Sequence, residues 1–160
     1  CFIFMLLTAQ RYSDMQQICP EQFTKNHWKF QSVKTGKEIT VPLVEWNKMA
    51  FEIAKKNNYN FPKLTQQYFN RALKQVCKKA EINCIISLKR YKGTNTVLIK
   101  KPKYELISSD TARRTAVTML LSKGVPPTVV MKLTGHSSIQ TMMKYENTTS
   151  DLLFEALKKL

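Results

Sequence analysis

The chain has 160 residues, of which 26 are Lys or Arg and 11 are Asp or Glu, so its formal net charge is +15. Its 43% apolar content excludes a disordered tail, and its longest apolar run, Cys1–Leu7, is far shorter than the about 20 residues of a membrane-spanning helix. Four cysteines at irregular spacings favour neither a zinc site nor a disulfide scaffold and indicate reduced thiols in a cytoplasm. We expect one compact domain, residues 1–160, with a polyanion as partner.

The first part of the chain predicts short helices and one hairpin. Residues 2–7 have the pattern of a buried helix that ends near Thr8, and Ser13 is predicted to cap a second short helix. Arg11 then lies in the bend between them. Two predicted strands, 27–33 and 38–43, flank a turn that carries Lys34. Pro42 favours an edge strand or the end of the strand at that point.

The middle of the chain predicts two amphipathic helices, residues 44–57 and 64–80, followed by an irregular or weakly stranded stretch, 82–103. From Arg71 to Lys103 there are ten basic residues and one acid. This run favours contact with a phosphate backbone, although a solvated surface has the same composition. The basic residues that we assign to DNA contact are Arg71, Lys74, Lys78, Lys89, Arg90, Lys92, Lys100 and Lys101.

Helix start and stop signals dominate the last third. Ser108 or Ser109 is predicted to cap a helix that runs to Gly124, and a short helix, 128–133, follows two prolines and ends at Gly135. Ser137 or Ser138 is predicted to cap residues 139–145. A final amphipathic helix is predicted over 151–160, with more apolar surface than a lone terminal helix needs.

Taken singly, the polar candidates in this last third have ordinary explanations. An acid such as Asp110 in a first helical turn complements the helix dipole, and its pairing with Arg113 or Arg114 would be a common surface ion pair. His136 directly follows a helix-ending glycine and could face solvent. Tyr145 is one of six tyrosines.

The order of these residues along the chain is more informative. Arg113 and His136 are 23 positions apart, and Tyr145 follows nine positions after His136. Five segments in register resemble the catalytic domain of the tyrosine recombinase, or phage integrase, family over nearly the whole chain. These segments are Thr8–Asp14, Val33–Lys37, Ser109–Thr115, Leu133–Ser138 and Met143–Tyr145. The hairpin and residues 103–121 are most similar to integrases of conjugative transposons from Bacteroides-type bacteria.

The resemblance implies a mainly α fold with a small antiparallel β-sheet, of the α+β class, and site-specific recombination of DNA. Arg11 and Arg113 would clamp the scissile phosphate, because planar cations suit a phosphodiester that gains charge. Tyr145 would attack it to form a 3′-phosphotyrosyl link. Lys34 would protonate the leaving 5′-oxygen, and His136 would hydrogen-bond the phosphate. Neither a metal nor a nucleotide cofactor is implied.

The resemblance also implies partners and location. Double-stranded DNA is the expected partner, and an anionic membrane suits the mixed polar helix faces poorly. We expect an upstream core-binding domain that the numbered sequence lacks. Assembly into a tetramer on DNA would use residues 151–160, although packing of that helix on its own domain is nearly as compatible with the sequence. The expected location is the bacterial cytoplasm, at the nucleoid.

Asp110 departs from the family pattern, which usually has a His there for proton transfer with the tyrosine. A carboxylate is a weak base for a phenol, and its charge would repel the phosphate. Asp110 therefore either pairs with Arg113 or Arg114 and orients them, or is buried until it can transfer protons, or leaves the protein slow or inactive. The last case predicts a non-catalytic helical DNA-binding protein whose candidate residues are scattered in space.

Overall fold

The computed structural model describes residues 1–92, 95–143 and 145, with only the backbone described for Tyr91, Lys92 and Asn95. The predicted helix 151–160 lies outside these residues. The described fold is mainly helical with two two-stranded antiparallel sheets, which confirms the predicted α+β class. Within this part of the chain, every helix is too short or too polar to cross a membrane.

The chain divides into two compact units, Cys1–Pro62 with the described residues from Ala112 onward, and Lys63–Thr111. The first unit contains α1 (Phe2–Thr8), α2 (Tyr12–Met15), β1 (His27–Gln31), β2 (Glu38–Pro42), α3 (Lys48–Lys56), α7 (Pro127–Thr134) and α8 (Ile139–Met143). The second contains α4 (Gln66–Lys79), β3 (Ile85–Lys92), β4 (Asn95–Pro102) and α5 (Lys103–Leu106). Helix α6 (Ser109–Ser122) starts in the second unit and continues into the first. The single catalytic domain over residues 1–160 stays a prediction.

An aromatic cluster joins α1 to the β1–β2 hairpin. Trp28 stacks on Phe30 with ring centroids 4.2 Å apart, and on Phe23 at 5.6 Å. Phe4 of α1 packs on Trp28 at 5.2 Å and on Phe61 at 5.1 Å. Aromatic pairs at such distances add to the stability that burial of their area provides. The cluster therefore fixes the hairpin against α1, and with it the chain that leads into Arg11.

The β1–β2 hairpin follows the predicted alternation. Ile39 and Val41 face the interior while their neighbours on β2 are exposed, and β2 ends at Pro42. Farther along the chain, Val117 of α6, Val130 of α7 and Met142 of α8 form a second buried cluster. This cluster fixes the three helices whose ends carry the candidate residues of the last third.

Several predicted elements differ from those of the structure. The second helix begins at Tyr12, because Arg11, with extended backbone, is its N-cap residue instead of Ser13. The helix predicted from residue 44 begins at Lys48, as α3. Helix α8 ends at Met143, so Tyr145 lies in a turn after the helix. The last difference is in the stretch predicted as irregular or weakly stranded.

The stretch 82–103 contains a regular hairpin, in which β3 and β4 pair antiparallel from Ile85 opposite Pro102 to Lys92 opposite Asn95. The apolar side chains Ile86, Leu88 and Ile99 are half-buried on one face of it. Lysines at intervening positions mask this alternation in the sequence. Charged residues lower the apparent strand propensity of a segment whose backbone pairing does not depend on them.

Candidate active site

Arg113 lies inside the first unit, with 7% of its surface exposed. Its Nη1 donates to the carbonyl of Ala9 at 3.0 Å, and its Nη2 donates to the carbonyl of Thr134 at 2.6 Å. Ala9 is the left-handed C-cap of α1, and Thr134 is the last residue of α7. Carbonyls at helix C-termini lack partners within the helix and carry partial negative charge. Two helix ends therefore hold the guanidinium in one orientation without neutralising it.

His136 lies directly beyond the end of α7, where Gly135 turns the chain with φ of 69°. Its Nδ1 is 2.6 Å from Thr134 Oγ1, and Nη2 of Arg113 is 3.4 Å from Nδ1 and 3.5 Å from Nε2. Partial burial, with the positive charges of Arg113 and then Arg11, lowers the pKa of His136 to about 4. The imidazole is therefore neutral at pH 7.

Tyr145 lies in the turn after α8, where its backbone N–H donates to the carbonyl of Met142 at 2.9 Å. The ring is half-buried and packs on the cluster of Val117, Val130 and Met142. Its centroid is 6.0 Å from that of His136, with 56° between the ring planes. A phenol is thus held next to a neutral imidazole.

Arg11 is anchored by Asp14, a residue that sequence reasoning missed. Arg11 Nη1 lies 3.8 Å from Asp14 Oδ2 and donates to Ser32 Oγ at 3.4 Å. Asp14 is buried, and its Oδ1 accepts a hydrogen bond from the backbone N–H of Val33 at 2.9 Å. One carboxylate therefore links Arg11 to the base of the hairpin turn. The only sequence signal for this role was an acid three residues after the arginine, a spacing that places both on one helical face.

Lys34 occupies the turn of the β1–β2 hairpin, as predicted, and its side chain is exposed. Among the described residues, its ammonium has no hydrogen bond or ion pair, and the structure does not bring it to the cluster of Arg113, His136 and Tyr145. Lys37 of the same hairpin instead donates to Ser137 Oγ at 3.0 Å. The role of Lys34 as proton donor stays a prediction.

A cavity of about 570 Å³ opens beside His136. Its charged lining residues besides His136 are Lys37, Lys132 and Glu38, and the carboxylate of Glu38 pairs with Lys29 at 3.1 Å. Two ammonium groups against one paired carboxylate favour an anion next to the imidazole. Sequence reasoning did not single out either lysine.

Asp110 is exposed, so the alternative that burial makes it a proton carrier is wrong. Within the described part of its own unit, its carboxylate has no ion-pair partner. Its orientation of Arg113 or Arg114 stays a prediction.

Gly135, the residue before His136, has a positive φ and leaves no room for a side chain. A Cβ at Gly135 would lie 2.8 Å from Cδ1 of the buried Ile39, whereas a Cβ at Gly124, which also has positive φ, would meet nothing within 4 Å. Positive φ costs a non-glycine residue about 1–2 kcal/mol, and overpacking a core adds about 1–3 kcal/mol.

We therefore expect Gly135→Ala to lower the free energy of unfolding by about 2–5 kcal/mol, and Gly124→Ala by only about 1–2 kcal/mol. Denaturant unfolding of the two variants measures the difference. Equal losses would show that Ile39 moves aside and that backbone strain alone sets the cost.

The candidate residues of four of the five predicted segments therefore come together, and Lys34 is the exception. Arg113, His136 and Tyr145 meet in one place, and the charge of Arg11 reaches the same imidazole. A model described as "Phage integrase family" matches residues 1–151. The chain belongs to the phage integrase family. The predicted family is thus confirmed, and the similarity to Bacteroides-type integrases stays a prediction.

Solved structures of family proteins share this fold. The Tn1549 transposon integrase in complex with transposon right-end DNA has a TM-score of 0.59 at 17% identity, with 99% of this chain and 57% of that chain covered. XerA recombinase has a TM-score of 0.67 at 17% identity, with 98% of this chain and 56% of the XerA chain covered. The catalytic domain of bacteriophage HP1 integrase has a TM-score of 0.57 at 21% identity, with 98% and 78% covered.

This chain thus spans little more than half the length of the Tn1549 integrase and XerA chains that it matches. A sequence comparison with curated proteins gives no match. The structural similarity confirms the predicted tyrosine recombinase catalytic-domain fold. The non-catalytic alternative predicted scattered candidate residues, and this prediction was wrong for Arg113, His136 and Tyr145.

Proposed function

We propose that this protein is a site-specific DNA recombinase, an enzyme that cleaves and rejoins DNA strands through a 3′-phosphotyrosyl intermediate on Tyr145. The observation that carries the proposal is the meeting of Arg113, His136 and Tyr145, which come from three different elements. A buried cation, a neutral imidazole and a phenol are the groups that phosphoryl transfer to a protein nucleophile requires.

Cleavage would begin with the phosphodiester bound between Arg113 and Arg11. Because Arg113 is already held by two carbonyls, its charge needs no reorganisation when negative charge develops on the phosphate oxygens. Tyr145 Oη would form a bond to phosphorus while the bond from phosphorus to O5′ breaks. The departing O5′ would take a proton, which we assign to the ammonium of Lys34.

Rejoining would be the reverse of this reaction. The 5′-hydroxyl of a DNA strand attacks the phosphotyrosyl bond and releases Tyr145. The ester on the protein conserves the energy of the broken phosphodiester, and the arginines supply the positive charge. The proposed reaction therefore consumes no nucleotide and assigns no step to a metal.

The second unit would contact the DNA backbone through its basic side chains. Of the eight assigned residues, seven have described side chains, and Lys92 is the exception. Arg71 lies over the ring of Tyr68 at 5.3 Å, and Lys101 pairs with Glu105 at 3.3 Å. The strand register places Lys89 and Lys100 on one exposed face of the β3–β4 hairpin, and Arg90 and Lys101 on the other. The face with Lys89 and Lys100 has no acidic partner among the described residues and is the one we assign to DNA.

Exchange of Lys89 and Lys100 for Gln is therefore expected to reduce the slope of log affinity against log salt by about 2, since each phosphate contact contributes about 0.9. Titration of a labelled duplex at several salt concentrations measures the slope. Lys55→Gln with Lys56→Gln, on the exposed end of α3, is the matched control, with the same loss of charge outside the assigned residues. Equal slopes for the two double variants would contradict a face-specific contact.

Assembly and location extend the proposal. We propose that the protein acts as a tetramer on double-stranded DNA through residues 151–160, together with an upstream core-binding domain, in the bacterial cytoplasm at the nucleoid. Tn1549 integrase and XerH were solved in complex with DNA. Deletion of residues 151–160 tests the assembly, because it should leave DNA-bound monomers in analytical ultracentrifugation. Tetramers that survive the deletion would contradict it.

Covalent capture tests the proposed function. The protein is incubated with a random-sequence pool of nicked duplexes that lose a short 3′ segment on cleavage, so that rejoining cannot occur. A recombinase yields a protein–DNA adduct on a denaturing gel, and peptide mapping should place the adduct on Tyr145. No adduct from either this chain or a longer chain with its upstream residues would contradict the proposal.

A further inference from the structure

The hydroxyl of Thr134 contacts two groups at the end of α7. Thr134 Oγ1 lies 2.6 Å from the carbonyl oxygen of Val130 and 2.6 Å from His136 Nδ1. A hydroxyl has one hydrogen to donate, and a carbonyl oxygen can only accept. The hydrogen must therefore go to Val130, and the hydroxyl oxygen is left to accept a hydrogen bond from His136.

This requirement fixes the position of the proton on the imidazole. A neutral ring carries one proton, and here it lies on Nδ1, so the lone pair is on Nε2. The opposite tautomer would place two acceptors, Oγ1 and Nδ1, at 2.6 Å without a hydrogen between them. Arg113 Nη2 can only donate, so with the proton on Nδ1 its hydrogen bond goes to Nε2 at 3.5 Å, and its charge disfavours a second proton on the ring.

Thr134 also holds the guanidinium of Arg113. Its carbonyl accepts the hydrogen bond from Arg113 Nη2 at 2.6 Å, and its side chain is fully buried. One residue therefore orients both the guanidinium and the imidazole. A leucine or valine in its place would keep the backbone carbonyl but lose the hydroxyl.

We propose that Thr134 is a positioning residue that fixes His136 as the Nδ1–H tautomer, and that His136 Nε2 accepts the proton of the Tyr145 phenol. The second half of this assignment rests on the proposed function. The O–H bond of Tyr145 breaks, its proton goes to Nε2, and the oxygen electron pair forms the bond to phosphorus. The bond from phosphorus to O5′ breaks with its electron pair on O5′, which Lys34 protonates.

Two observations favour His136 as the acceptor. Its ring is the titratable group that the structure shows packed against Tyr145, with centroids 6.0 Å apart. Burial, and then the charges of Arg113 and Arg11, disfavour protonation of the free site, and a bound phosphate would offset the two charges. The imidazole therefore becomes a stronger base when the substrate is present. Proton transfer then needs no contribution from the exposed Asp110.

Nitrogen NMR of the DNA-free protein tests the tautomer directly. The chain has two histidines, so a His27→Gln variant assigns the ring signals of His136. At pH 7 we expect a protonated Nδ1 and an unprotonated Nε2. Thr134→Val should shift the population to the Nε2–H form, and Thr134→Ser should restore the original form. An Nε2–H ring in the unaltered protein would overturn the proposal.

The rate of covalent capture tests whether His136 Nε2 accepts the proton of Tyr145. We expect Thr134→Val to slow adduct formation by about 10- to 100-fold, at or below the lower end of the about 10²- to 10⁴-fold contribution of a general base, because His136 itself is kept. Thr134→Ser should stay within about threefold of the unaltered protein. Thermal unfolding of both variants shows whether either has lost structure. A Thr134→Val variant that switches tautomer but retains its rate would overturn the role of Nε2. Absence of any adduct would contradict the proposed function and leave the NMR result standing.

Discussion

Replacing Tyr145 with Phe is expected to abolish covalent capture of DNA while leaving DNA binding intact. Phe keeps the ring that packs on Val117, Val130 and Met142 and that lies beside His136, and it lacks only the nucleophilic oxygen. Removal of a nucleophile typically costs about 10⁶-fold in rate, which places the adduct below detection on a gel. The measurement is adduct yield on nicked duplexes, with binding followed separately by fluorescence anisotropy.

Tyr68→Phe is the matched control for this prediction. Tyr68 is half-exposed on α4 in the second unit, and its ring lies under Arg71. The same loss of one hydroxyl there should leave adduct yield unchanged. An adduct that persists in Tyr145→Phe would identify a different nucleophile and remove the central element of the proposed function.

Replacing Arg113 with Lys is expected to slow adduct formation by about 10²- to 10³-fold, the cost of losing a preorganised donor to a developing oxyanion. The charge is kept, but an ammonium cannot reproduce the planar fork that spans the carbonyls of Ala9 and Thr134. At least one of those buried carbonyls then loses its partner, so the variant should also unfold at a lower temperature.

Arg114→Lys is the control, because Arg114 is the next residue on the same helix and is exposed. It changes the same chemistry without touching the buried carbonyls, and both its rate and its unfolding temperature should remain near those of the unaltered protein. Capture kinetics and thermal unfolding of the two variants provide the comparison. Similar losses in both would show that Arg113 contributes through charge rather than through its fixed geometry.

The sequence predicted the parts of this site that depend on side-chain type and order. The resemblance of three segments to the recombinase family predicted Arg113, His136 and Tyr145, because residue type and order along the chain are visible in a sequence. Ala9 was not predicted because it acts through its backbone carbonyl, which every residue has. Thr134 was not predicted because the contact of its hydroxyl with His136 depends on the fold and has no sequence signal. Asp14 was not predicted because a buried carboxylate and a surface one look alike in a sequence.

For the fold as well, some elements have a clear sequence pattern and others do not. The β1–β2 hairpin was predicted because its apolar and polar residues alternate, and α7 because proline and glycine mark its ends. The β3–β4 hairpin was predicted only as an irregular or weakly stranded stretch, because its lysines interrupt the apolar pattern. Helix α2 was placed too late because Arg11 takes the cap position without a side-chain hydrogen bond.

The hydrogen bond from Arg113 to Ala9 joins residues 104 positions apart, and that from the Gln10 side chain to the Leu133 carbonyl spans 123 positions. Chains emerge from the ribosome N-terminal end first. A growing chain that has made Arg11 and the hairpin therefore still lacks the carbonyl, the imidazole and the phenol that complete the site. The residues to which we assign the proposed cleavage therefore come together only when the last described helices dock, and an unfinished copy of the protein lacks the assembled site.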